Sequence, residues 1–223
     1  MNVARRVLAG TFKLGCVLLA LVALLSLLYL AVTPPSTLML ARWVTGRAVE
    51  RAVVPLTAIS PFLPAAVVAS EDARFCQHHG VDWNALSDVI DDAGDGGPAR
   101  GASTITMQTA KNVFLWSSRS YIRKGLEIPL ALYLDLVWGK RRVMEIYLNV
   151  AEWGDGVFGA EAASRHHFGK SARDLTRREA ALLATSLPNP IIRNAAQPGR
   201  GQRAHAAKVL ARMAGHPPCL PHA

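Results

Sequence analysis

Between Leu14 and Val32 the chain reads LGCVLLALVALLSLLYLAV, without one charged residue. As a helix, nineteen such residues rise about 28 Å, close to the hydrocarbon thickness of a bilayer. Arg5, Arg6 and Lys13 precede this run, and the next cation is Arg42. Cationic flanks stay on the cytoplasmic side, so the N-terminus is expected inside and everything after residue 33 outside. A cleaved signal peptide would have a shorter apolar core followed by a small-x-small site. YLAVTPPST offers no such site, so an uncleaved anchor is the reading.

The rest of the chain organises itself around that anchor. Residues 1–33 form the cytoplasmic tail and anchor, 34–60 a connecting segment opened by the helix-breaking TPPST, and 61–223 one domain. SPFLP introduces a helix expected to start near Pro64 and run to Gln77, with Gly80 as its stop. Residues 91–101, DDAGDGGPARG, read as a loop whose acid spacing does not fit a calcium hand. A long helix is expected over 121–149, with kinks at Pro129 and Gly139. Thr176 and Glu179 form a capping-box pair opening a helix that Pro188 ends, and 202–213 is a last short helix. No repeat and no alternating strand pattern is evident, so the fold class is mainly α.

The formal net charge is +9, which suits an anionic membrane face or a phosphate-bearing substrate. Nucleic acid is disfavoured, because the domain lies outside the cytoplasm and the cations are not interleaved with stacking aromatics. Beyond Cys16 in the anchor, Cys76 and Cys219 show no metal-like or framework spacing. A bridge between them in an oxidising compartment stays open.

Four stretches carry candidate chemistry. In SEDARFCQHHGVD, residues 70–82, a continuing helix would put Glu71, Phe75 and His78 on one face and turn Asp72 elsewhere. A carboxylate beside a bulky aromatic is partly desolvated and suited to taking a proton near neutral pH. Taken alone, the stretch reads more readily as a solvated acid near a helix end. GASTITMQTAKN, residues 101–112, offers hydroxyls, Gln108, Lys111 and Asn112 for a sugar or phosphate, or else a turn capping the next helix. In RSYIRKGLE, Arg123 and Lys124 stand four and three residues before Glu127: a surface ion pair, or a cationic cradle for a diphosphate. In GKRRVMEIYLNVAEWGDGVFG, Lys140 opens a helix whose Val143, Ile146 and Tyr147 mark a core face, Glu145 reads as a surface acid, and Trp153 and Phe158 read as core or rim. The His78–His79 and His166–His167 pairs lack the spacing of a zinc site, and no metal ligand set is assigned.

Together these four stretches resemble, in order, the four motifs of the bacterial peptidoglycan glycosyltransferases: EDARFCQHHGVD, GASTITMQTAKN, RKGLE and KRRVMEIYLN. The similarity runs over about residues 55–215. It is to the monofunctional biosynthetic form, similar to the glycosyltransferase domain of class A penicillin-binding proteins, with no Ser-x-x-Lys transpeptidase motif. The chain departs from the family pattern at Met107–Gln108, where a glutamine pair is usual, and QRAHAAKVLARM matches a fifth motif only loosely. The resemblance implies a lysozyme-like head with a smaller membrane-proximal jaw. It implies polymerisation of lipid II into glycan strands, with inversion at the donor's anomeric carbon and release of a polyprenyl diphosphate, at the bacterial inner membrane. Glu71 would be the base and Glu127 the acid beside the diphosphate. Lys111, Arg119, Arg123, Lys124 and Lys140 would offset leaving-group charge; Asp72, Phe75, His78, Ser103, Thr104, Gln108 and Asn112 would line the substrate site. No cofactor is required on this reading, though a divalent cation, magnesium or manganese, has a place beside Glu127. Partners would be lipid II, the growing glycan, the membrane and cell-wall or cell-division proteins. The alternatives are a lysozyme-like glycan-cleaving enzyme, which needs no diphosphate cradle, and a non-catalytic membrane scaffold.

Overall fold

The computed structural model describes residues 3–94, 101–118, 120–213 and 217–220. Two compact units divide between Thr33 and Pro34. The first is helix α1 (Val3–Leu28). Among the described residues its Val7–Leu28 stretch is the one helix long and apolar enough to cross a membrane, and it holds Leu8, Leu19 and Leu24 exposed.

The second unit is mainly helical. It comprises α2 (Thr37–Val44), α3 (Phe62–Glu71), α4 (Trp83–Gly94), α5 (Ile105–Phe114), α6 (Tyr121–Val150), α7 (Ala160–Phe168), α8 (Arg177–Ala184) and α9 (Arg200–Arg212). A small sheet of β1 (Glu50–Arg51), β2 (Glu152–Gly154) and β3 (Val157–Phe158) is ordered β1-β3-β2. β1 runs parallel to β3, and β2 antiparallel. The strands are two or three residues long, too short for an alternation to reveal them, and α2 lies within the segment expected to be a connector. Ser36 caps α2 by accepting from the Met39 amide at 3.2 Å.

The core lies where α5 packs on α6, and α3 on α8 and α9. Trp153, Tyr147, Phe75 and Phe158 are fully buried. On α8, Ala180, Ala181, Leu182, Leu183 and Ala184 are buried, and α3 packs against this helix. Thr176 and Glu179 form the expected capping box, but α8 gives way to a turn at Thr185, before Pro188. The Gly139 kink is present, with φ 65° and ψ 170° breaking α6, whereas Pro129 sits inside the helix without interrupting it. The loop expected at 91–101 begins later, since α4 continues to Gly94; residues 95–100 lie outside the described residues.

The helix expected to reach Gln77 ends at Glu71, so Phe75 and His78 do not share a helical face with it. Its C-cap Asp72 (φ −158°, ψ 74°) is drawn away by partners distant in sequence. Its carboxylate accepts from the Ile105 amide at 2.9 Å and pairs with His78 Nε2 at 3.0 and 3.1 Å. An acid at the first turn of α5 also meets the positive end of that helix. Gly80, expected as a helix stop, has a different task. At φ 84° it lies against α6, where a Cβ would meet the Ala131 carbonyl oxygen at 2.5 Å. Cys76 and Cys219 are joined by a disulfide with Cα atoms 5.4 Å apart, which fastens the C-terminal segment to the turn after Glu71.

Candidate active site

Glu71 ends α3 facing α5. Burial pushes its carboxyl above the usual range, and Asp72 pushes the same way. A hydrogen bond from Gln108, another from Ser70 and the Arg193 charge oppose the rise. Gln108 Nε2 donates to Glu71 Oε2 at 3.2 Å, while the Tyr147 phenol donates to Gln108 Oε1 at 3.1 Å. A carboxylate that is desolvated yet held by a donor is more basic than a solvated one, which is what a general base needs.

One turn along α5, Lys111 is drawn below the ordinary lysine range by burial and by Arg123, with Glu71 opposing. Lys124 is lowered to about 8 by burial, then by the charges of Arg123 and Lys111. Lys124 Nζ donates to Ser103 Oγ at 2.5 Å and to Glu127 Oε2 at 2.9 Å. Arg123 pairs with the other oxygen of Glu127 and donates to the Ser118 carbonyl at 2.7 Å. Glu127 is buried, so two cations hold one desolvated acid. Arg123 lowers both lysines and Lys111 lowers Lys124, so the cluster has more positive charge than Glu127 neutralises. A polyanion such as a diphosphate relieves that repulsion.

Two openings flank Glu71 and Gln108. A cavity of about 230 Å³ is lined by Glu71, Asp72, Arg74, Ser103 and Thr104, among others. Another of about 180 Å³ is lined by Gln108, Lys111, Asn112, Trp116, Tyr147 and their neighbours. The first motif's acid and the second motif's polar side chains are thus brought together, and Lys111 links them electrostatically to the third.

Other expected residues are placed differently. Phe75 is wholly buried, beneath the Lys140 ammonium at 4.7 Å from its ring centre. Lys140 also pairs with Asp135 at 2.7 Å, so its charge is already engaged at the kink of α6. Asp72 and His78 are occupied with each other and with α5. Thr104 caps α5, its hydroxyl accepting from the Met107 amide at 3.1 Å and donating to the Gly80 carbonyl at 2.6 Å. Met107, at the departure from the usual glutamine pair, packs with Val81 and Ala131 in the core. Arg119 lies outside the described residues.

Glu145, expected as a surface acid, pairs with Arg142 and accepts from the Leu56 amide at 2.9 Å. Asn149, beside it, exchanges hydrogen bonds with Val54 at 3.0 and 2.9 Å. The fourth motif therefore ties α6 to the segment before α3. Two residues at the site escaped the sequence. Tyr147 carries the pattern of a core position and no other signal. Arg193, which donates to the Thr185 carbonyl at 2.9 Å and acts on Glu71, lies outside the four motifs.

The chain belongs to the transglycosylase family: the family model described as Transglycosylase matches residues 38–214. It is similar to the biosynthetic peptidoglycan transglycosylase of Rhodopseudomonas palustris (strain TIE-1), 54% identical over 209 residues covering 93% of this chain and 89% of that one. A protein of the same name from Agrobacterium fabrum is 56% identical over 193 residues, covering 83% and 85%. Another from Rhizobium meliloti is 58% identical over 182 residues, covering 82% and 77%.

Proposed function

We propose that this chain is a peptidoglycan glycosyltransferase that polymerises lipid II into linear glycan strands. The observation that carries the reading is the gathering of a half-buried, donor-held carboxylate, Glu71, with the mutually repelling cations Lys111, Arg123 and Lys124, Lys111 coupling electrostatically to both. Glu71 takes the proton of the acceptor's 4-hydroxyl as that oxygen attacks the donor's anomeric carbon. The bond from that carbon to the diphosphate breaks on the opposite face, so configuration inverts, and its electron pair leaves with the diphosphate. Lys111, Lys124 and Arg123 offset the charge that grows there. Glu127 orients Arg123 and Lys124, and is the residue that would hold a divalent cation if one accompanies the diphosphate. Ser103, Gln108 and Asn112 contact sugar or phosphate.

The substrate's polyprenyl tail keeps this chemistry at a membrane, which suits α1 as a single-pass anchor. The basic N-terminal flank supports a cytoplasmic N-terminus and an extracytoplasmic domain. The Cys76–Cys219 disulfide favours the same side, because such bonds persist in oxidising compartments. In NVFLW only Trp116 is exposed. The apolar surface suited to the bilayer interface is larger elsewhere, with Leu40, Trp43 and Val44 on α2 and Tyr121 and Ile122 on α6 exposed.

The test is incubation of purified full-length protein with labelled lipid II in detergent. Polymeric glycan is expected. Shortened fragments from isolated cell wall, with no polymer from lipid II, would instead support a glycan-cleaving enzyme.

A further inference from the structure

We infer that Tyr147 is a positioning residue for the base, its phenol fixing which end of the Gln108 amide faces Glu71. The inference deepens the reading of Glu71 as a base and rests on it. A glutamine amide has a donor end and an acceptor end, and nothing within Gln108 itself decides which one meets the carboxylate. The neighbours decide. Tyr147 is 1% exposed, and Gln108 Oε1 is the acceptor its hydroxyl reaches, at 3.1 Å. With the amide turned over, Gln108 would offer N–H groups to the phenol and its oxygen to Glu71. The buried phenolic proton would then lose that acceptor, and two oxygens would face each other whenever Glu71 is ionised. Protonated Glu71 could tolerate the turned amide by donating to it. Tyr147 therefore weights the site toward ionised Glu71, against the burial that favours the neutral acid.

The groups facing Glu71 come from every element around it. Ser70 and Asp72 flank it in sequence, Gln108 and Lys111 come from α5, Tyr147 from α6, and Arg193 from the segment after α8. Burial and the nearby charges of Glu71 and Asp72 hold the Tyr147 hydroxyl well above the ordinary phenol range. It thus stays a donor throughout the working pH range.

The experiment compares wild type, Tyr147→Phe, Gln108→Ala and the double variant, all as full-length protein in micelles. Two quantities are read: the acid limb of kcat/KM for lipid II polymerisation, and the Glu71 titration by carbon-13 NMR of labelled glutamates, assigned by the resonance missing in Glu71→Gln. Tyr147→Phe keeps the ring and should move both upward by about one pH unit. Gln108→Ala should shift them similarly, and the double variant should add little, because both changes remove one relay. A Glu71 titration unmoved in Tyr147→Phe, or a fall in rate without a shift of the acid limb, would overturn the inference and leave Tyr147 a packing residue. If no variant, wild type included, polymerised lipid II while the titration still moved, the functional reading would fail and the positioning of Glu71 by Tyr147 would stand.

Discussion

Replacing Lys124 by methionine removes a charge while retaining most of the side chain's length. Lys124 Nζ bridges Ser103 at 2.5 Å and Glu127 at 2.9 Å, and with its pKa near 8 it is largely protonated at neutral pH. Two unit charges about 4 Å apart interact by about 4 kcal/mol at an effective dielectric constant of 20. The side chain is 37% exposed, so solvent screening reduces that figure. Arg123 remains paired with Glu127 in the variant, so the acid is not abandoned in the core. Losing a group aimed at developing charge is worth roughly 2–4 kcal/mol, or about 30- to 1000-fold in kcat/KM. Lys124→Arg keeps the charge and should stay within about tenfold of wild type. Arg203, exposed on α9 with its guanidinium on the Pro198 carbonyl, is the control, and Arg203→Ala should change the rate less than about twofold. The assay is the initial rate of labelled lipid II polymerisation at fixed ionic strength. Equal losses for Lys124→Met and Arg203→Ala would refute the cradle, because the cations would then serve only general attraction to an anionic surface.

The pH dependence of kcat/KM should be bell-shaped. Activity should rise as Glu71 ionises, above the ordinary carboxylate range because burial raises it, and fall as Lys124 loses its proton through about pH 8. In kcat alone the alkaline limb should move higher, since a bound diphosphate favours charged Lys124. Replacing both Cys76 and Cys219 by serine opens a link spanning 143 residues of sequence. It should cost about 2–4 kcal/mol, a fall of roughly 5–15 °C in Tm read by calorimetry under oxidising conditions. Deleting residues 1–33 should slow polymerisation of long-tailed substrate far more than of short-tailed, water-soluble analogues, because confinement in the bilayer helps only the former; equal ratios of full-length to truncated rate would refute this.

What the sequence made legible depended on range. A nineteen-residue apolar run, the Thr176–Glu179 box and the break at Gly139 are local signals, and each corresponds to a local structure. The end of α3 was not legible, because Asp72 leaves the helix for the Ile105 amide 33 residues away. The eight-residue α2 and strands of two or three residues are too short to carry a period. At the site, the gathering of Glu71, Gln108 and Lys111 followed from motif order, through the resemblance rather than through any periodicity. The engagement of Lys140 with Asp135 and Phe75 did not, since it depends on how α6 turns at Gly139. Tyr147 and Arg193 reach Glu71's surroundings only through the packing of α6 and of the segment after α8.

Glu71 is proposed to accept the proton of the attacking hydroxyl. Glu71→Gln preserves its shape and its capacity to hydrogen-bond to Gln108 but removes its basicity. The decisive measurement pairs the rate of lipid II polymerisation by this variant with its affinity for lipid II, using folded full-length protein. The rate should fall by at least about 100-fold with binding retained within a few-fold. Polymerisation near the wild-type rate would mean that another residue is the base.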